Sequence, residues 1–133
     1  MNRNIIWLAA ALSCAALTGC SEEKSADTVP QHWQDLDIRV ETRPSPPQLG
    51  MDEFLVIVTR SHGQPAWDCL VDIRTADEDP WKQAIQDGRV GVYRRSALVG
   101  LGERSVVQVQ IHRQDNDSTT VLRFPLVNLD GKS

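Results

Sequence analysis

The sequence predicts an all-β domain, a β-sandwich of about six to seven strands with one short helical insert, and three observations predict it. From Leu36 onward apolar residues recur at every second position rather than at every third or fourth. Turn-rich clusters at Ser61–Pro65, Gly100–Gly102 and Asp115–Ser118 divide that stretch at strand-length intervals. Only one segment carries helix punctuation. An open barrel is the alternative closure of the same strands.

Each element follows from its own pattern. Leu36, Ile38 and Val40 alternate with Asp37, Arg39 and Glu41, as on a half-buried strand. Phe54 to Val58 is unbroken apolar sequence, which suits a central strand buried on both faces. Trp67, Cys69, Val71 and Ile73 set an inward face, with Leu70 breaking the alternation. Asp79 can cap a helix, Pro80 suits its first position and Gly88 can end it, so Trp81–Asp87 is the expected helical insert. Arg89 to Leu98 is a less regular strand containing Val90, Val92 and Tyr93. Val107, Val109 and Ile111 alternate with Gln108, Gln110 and His112. Leu122, Phe124 and Leu126 form the last inward row, and Pro125, which has no N–H to donate, assigns that strand to an edge or a bulge.

The chain before Leu36 reads differently. Arg3 precedes a mostly apolar run from Ile5 to Leu17, after which Leu17-Thr18-Gly19-Cys20 follows. About 13 residues make a helix of roughly 20 Å, too short for a hydrocarbon core of ~30 Å, so the run reads as a secretory leader. Leu17-Thr18-Gly19-Cys20 resembles the bacterial lipobox, whose small residues admit the signal peptidase to the bond before the cysteine. That resemblance implies a signal peptide at 1–19, acylation of Cys20 and a membrane anchor built from several acyl chains. Ser21 in second position resembles the pattern of lipoproteins sent to the outer membrane of a Gram-negative envelope, facing the periplasm. The alternative is an ordinary signal cut near Ala15 or Ala16. Ser21 to Gln34 is polar and without period, so 20–34 is expected to be a lipidated flexible tether reaching ~20 Å, with the domain at 35–129.

Composition narrows the function. Hydrophobic content of 41% with 24% charge describes an ordinary globular chain rather than a disordered one. A net charge of −4 offers no basic face for nucleic acid and disfavours adsorption to anionic lipid, so any membrane contact falls to the anchor. Once the leader is removed and Cys20 is acylated, Cys69 stands alone and the domain has no internal disulfide. No basic group adjoins Cys69 in sequence to activate its thiol, and it is expected in the core.

A family resemblance covers roughly Pro47 to Val127. Pro47-Gln48-Leu49-Gly50 leading into Phe54–Val58 resembles the first strand of the periplasmic Ig-like modules called YtkA-like or FixH-like. Gly63-Gln64-Pro65 followed by Cys69-Leu70-Val71-Asp72-Ile73 is similar to their hairpin, Gly91-Val92-Tyr93 to a later Gly-x-Tyr strand, and Gly102 to the glycine before the next strand. The resemblance implies an Ig-like sandwich. Where members often carry an aromatic residue after that glycine, this chain has Glu103, Arg104 and Ser105, and the loop after the hairpin lacks His and Met. The resemblance therefore implies the fold more strongly than it implies copper handling, which stays behind calcium among the metal readings.

A search for chemistry returns little. His32, His62 and His112 fall in the tether, a loop and an outward strand position, with no spacing that builds a zinc or copper site. No Gly-x-Ser-x-Gly elbow or paired catalytic carboxylate is present, and the chain is expected to be non-catalytic and without a cofactor. One constellation remains, the oxygen-rich loops containing Asp77, Glu78, Asp79, Asp115 and Asp117. If each strand crosses the sandwich once, both loops share one end, and calcium could find converging oxygens there. The plainer reading is local turn and cap chemistry. The same count of turns puts the tether at the end carrying Ser61–Pro65 and Val99–Glu103, with both acidic loops at the opposite tip. The expected function is a membrane-anchored accessory module that meets another envelope protein; the alternative is a metal-binding periplasmic protein.

Overall fold

The computed structural model describes residues 27–129. The leader and Cys20 lie outside the described residues. Nine strands, β1 (Gln31–Trp33), β2 (Leu36–Arg43), β3 (Gly50–Thr59), β4 (Cys69–Arg74), β5 (Lys82–Gln83), β6 (Ile85–Gln86), β7 (Val92–Val99), β8 (Val106–Arg113) and β9 (Thr119–Pro125), form two antiparallel sheets. One has the order β1-β2-β3-β7-β6 and the other β5-β4-β8-β9. This is the all-β sandwich that the two-residue period predicts. The six long strands are the expected ones. The three short strands, β1, β5 and β6, line the edges. Among the described residues no helix is long and apolar enough to cross a membrane.

The inward rows make one core. Leu36, Ile38 and Val40 of β2 and Phe54, Val56 and Val58 of β3 face Val71 and Ile73 of β4, Val107, Val109 and Ile111 of β8, and Phe124 of β9. All are almost wholly shielded from solvent, and each such side chain contributes roughly 1.5–3 kcal/mol over leaving it exposed. β3 pairs with β2 on one side and β7 on the other, and Leu55 on its outer face, flanked by its cross-strand partners Glu41 and Arg94, is buried as well. β9 ends at Pro125 on a sheet edge, where a missing N–H costs no ladder bond.

The segment read as a helix is the clearest departure. Trp81–Asp87 runs extended: β5 pairs with β4, Ala84 N–H donates to the Val71 carbonyl at 2.7 Å, and β6 then pairs with β7. The chain thus steps from one sheet to the other and covers an edge of each. Seven residues form too short a helix to survive without a packed face, and the unpaired edges of β4 and β7 offered backbone partners instead.

That stepping segment also overturns the turn count. β4 ends at Arg74, and the chain then returns along the full sandwich before β7 begins at Val92 opposite Ile57. The sandwich therefore has a base, carrying residues 27–28, 43–50, 75–80, 99–105 and 125–129, and a crown, carrying 34–35, 60–68, 87–91 and 114–118. The loops Ser61–Pro65 and Val99–Glu103, expected together, lie at opposite ends.

The start of the domain moves too. Residues 27–34, expected in the tether, belong to the sandwich. β1 pairs with β2 through Gln31↔Ile38 and Trp33↔Leu36. The buried Asp27 carboxylate accepts from Thr42 N–H at 2.9 Å and from Ser45 Oγ at 2.7 Å, and Thr28 Oγ1 donates to the Val40 carbonyl at 2.9 Å. At the other end of the chain, Val127 N–H donates to the Asp27 carbonyl at 3.0 Å. First and last described segments meet at the base.

Candidate functional site

The crown is built around an arginine in the core row. β8 places Val107, Val109 and Ile111 inward, and the same alternation carries Arg113 inward, where only 4% of it is exposed. A buried guanidinium must have its donors satisfied. Arg113 Nε and Nη2 donate to both oxygens of Asp115 at 2.9 and 2.6 Å, and Nη1 donates to Gln34 Oε1 at 2.9 Å and to Asp35. Arg60, at the end of β3, adds a second fork: its Nη2 reaches Asp68 at 2.9 Å and Asp115 at 3.2 Å. Two arginines thus join the β1–β2 turn, the end of β3, the approach to β4 and the β8–β9 turn, and so join both sheets.

Charge follows the geometry. The Arg113 hydrogen bond, helped by Arg60, holds the Asp115 carboxyl at about 2, and Arg113 likewise holds Asp35 below the usual carboxylate range. Both arginines are held more firmly protonated by the same pairs.

Three residues other than glycine adopt the left-handed backbone region at the crown, Gln34 (φ 56°), His62 (φ 62°) and Asp117 (φ 56°). Asp and His tolerate that region; Gln does so only where surroundings hold it. For Gln34 the restraint is visible, since its Oε1 accepts from Arg113 and from Asn116 Nδ2 at 3.0 Å while its Nε2 donates to Ser118 Oγ at 3.2 Å. The crown loops are held in one shape by polar contacts.

Next to this network Trp67 is 45% exposed, with the Arg89 guanidinium 4.7 Å above its ring. The sequence pattern assigned Trp67 to the inward row with Cys69. The strand begins only at Cys69, and the Pro65–Asp68 approach carries Trp67 outside the alternation. Cys69 itself is buried, and burial, with the Asp68 charge beside it, pushes its thiol up to about 11. Tyr93 closes the core below, donating to the Ala66 carbonyl at 2.8 Å and accepting from Cys69 N–H at 3.3 Å.

The acidic residues singled out in the sequence are divided between the two ends. Asp115 and Asp117 sit at the crown, whereas Asp77, Glu78 and Asp79 follow β4 at the base. The single oxygen-rich end expected of them is not formed, because the 75–91 connection doubles back. Their partners are mostly arginines: Asp79 pairs with Arg104 at 2.6 Å, and Asp77 Oδ1 accepts from Gln108 Nε2 at 2.6 Å with Arg74 and Arg123 nearby. Asp117 lies 3.2 Å from His112 Nε2. Among the described residues no three His, Cys, Asp or Glu side chains converge as a metal-ligand set.

The base carries a different surface. Leu49, Met51, Leu98 and Leu101 are exposed by 55, 62, 44 and 70%. Met51 and Leu98 are cross-strand partners on the outer face, Leu49 precedes Gly50 opposite Val99, and Leu101 follows two residues beyond. Met51 also borders a shallow groove of about 500 Å³ with Ile85, Lys82 and Ser96.

Sequence reasoning missed Arg113 and the apolar base. For Arg113 the signal was present, because the inward parity of Val107, Val109 and Ile111 runs on to it. The base had no linear signal, since its four side chains come from two separate segments. No family model, curated protein or solved structure matches this chain.

Proposed function

We propose that this chain is a lipoprotein of a Gram-negative envelope, anchored through Cys20 and facing the periplasm, whose sandwich is a non-catalytic module that binds another envelope protein with its crown. One observation carries the reading. The chain enters the sandwich at the base, so an anchor at Cys20 leaves the opposite end free, and at that end Arg113 and Arg60 tie loops of both sheets together beside the exposed Trp67. Preorganised loops bind with less entropy lost. Exposed Trp67 under Arg89 adds the residue types that dominate binding energy at protein interfaces. Asp35, Asp115 and Asp117 are already paired with Arg113, Arg60 and His112, so the exposed Trp67–Arg89 stack, rather than net charge, is what the crown offers a partner.

A photo-crosslinking side chain at position 67, in the full chain in living cells, tests this against the same group at Val121 on the outer face of the second sheet. A discrete adduct with one envelope protein from position 67, lost on Arg89→Glu and absent from position 121, is the expected outcome. Equal or diffuse labelling from both positions rules out the crown as the binding surface.

A further inference from the structure

The exposed leucines and methionine at the base sit where the chain would emerge from a membrane. Asp27 is fixed to the base by Thr42, Ser45 and Val127, and six residues separate it from Cys20. Seven peptide steps of ~3.3–3.6 Å reach at most about 25 Å. The sandwich, by contrast, is about 30 Å long, the span of the ten residues of β3 at ~3.3 Å each. A lipid-bearing Cys20 therefore keeps the base within reach of the bilayer and the crown a strand's length beyond it.

Four exposed apolar side chains share that end of the sandwich. Leu49 belongs to the loop whose Ser45 binds Asp27, and Leu101 precedes the 3₁₀ turn at Gly102–Ser105, whose Ser105 carbonyl accepts from Leu126 N–H at 2.9 Å. The nearby charges are of both signs: Asp79 is paired with Arg104 and Asp77 lies against Arg74 and Arg123, while Arg43, Glu78 and Glu103 stand exposed around them. An apolar projection rimmed by charges of both signs, beside a lipid anchor, is suited to the boundary between headgroups and acyl chains, where apolar faces bury ~5–10 Å deep.

We propose that Leu49, Met51, Leu98 and Leu101 form a membrane-docking tip that seats the base of the sandwich in the lipid surface and holds the crown upright. The proposal rests on acylation of Cys20. It gives the domain a defined orientation, and it predicts docking that is insensitive to salt, because apolar burial rather than charge drives it.

The full-length acylated protein, purified in detergent and returned to vesicles of phosphatidylethanolamine and phosphatidylglycerol with brominated acyl chains, provides the test. Gln48→Cys places a fluorophore beside the tip and Ser61→Cys places one at the crown, while buried Cys69 stays unlabelled. Incorporation of labelled palmitate, abolished by Cys20→Ser, is measured first. The expected result is quenching at position 48 at least about threefold that at position 61, lost in the Leu49→Ser, Leu101→Ser double variant and unchanged in high salt. Equal quenching at the two positions in acylated protein, or a difference that survives the double variant, overturns the docking tip and leaves the anchor standing. A chain that takes up no palmitate overturns both. A lipid-free dimer that shields position 48 would assign the tip to a second copy instead.

Discussion

The two ends of this sandwich solve opposite problems. At the crown an arginine sits inside the core row and is made tolerable by Asp115, Asp35 and Gln34, with Arg60 extending the network. At the base, four apolar side chains stand outside with nothing packed on them, while a carboxylate, Asp52, is buried at the inward position of β3. Polar groups at the crown hold structure together. Apolar groups at the base do not. Burial alone therefore does not separate the two ends: the crown is cross-linked by ion pairs, and the base is exposed in a way the fold does not need.

The largest effect should come from a crown residue with no side chain. Gly91 has φ +72°, and a Cβ there would stand 2.6 Å from the Val58 carbonyl oxygen and 3.1 Å from Ala66 N. Gly91→Ala should cost about 3–4 kcal/mol, from a left-handed backbone and overpacking together, read as a lower urea midpoint at unchanged slope. A loss below about 1 kcal/mol would mean that the crown yields easily, against the preorganisation proposed for it.

Arg113→Met keeps the volume and removes the fork. We expect a loss of about 2–3 kcal/mol, less than for a wholly buried pair because the carboxylates keep some access to water. The crown amides of residues 34–35 and 114–118 should then exchange hydrogen faster, with those of the base unaffected. Uniform acceleration at both ends would break the division between them.

Acid should separate the ends by sign. Asp115 is held at about 2 by Arg113, below its unfolded value of ~3.9, so its contribution is present above pH ~4 and is lost as pH falls toward 2. Asp52 is shifted upward by burial, despite the Gln48 N–H bond, so its contribution is present below pH ~4 and is lost as pH rises through its folded value. Carboxyl titration by NMR should show the two shifts in opposite directions, with only that of Asp115 abolished by Arg113→Met. Persistence of the low value in that variant would assign it to another group.

The smallest effect is the most useful for the base. Leu101→Ser should change stability by no more than about 0.5 kcal/mol, since its side chain is 70% exposed. A loss of 2 kcal/mol would show that the leucine serves the fold rather than an external surface.

The local alphabet of the chain determined its class. Alternation at Leu36–Val40, Val107–Ile111 and Leu122–Leu126 wrote the inward rows, because side chains on a strand point to opposite faces in turn and only one face meets a core. The continuous run Phe54–Val58 marked the central strand for the same reason. What local pattern could not decide was the route. Trp81–Asp87 has helical punctuation but too few residues to pay for a helix, and its strands exist only because β4 and β7 stand ready to pair. Tertiary pairing therefore reversed the chain along the sandwich, sent Asp77–Asp79 to one end and Asp115–Asp117 to the other, and drew residues 27–34 into the sheet. Arg113 and the apolar base became meaningful only after that, because hydrogen-bond partners and neighbouring exposed side chains are properties of assembled distance, which a linear spacing of residues does not contain.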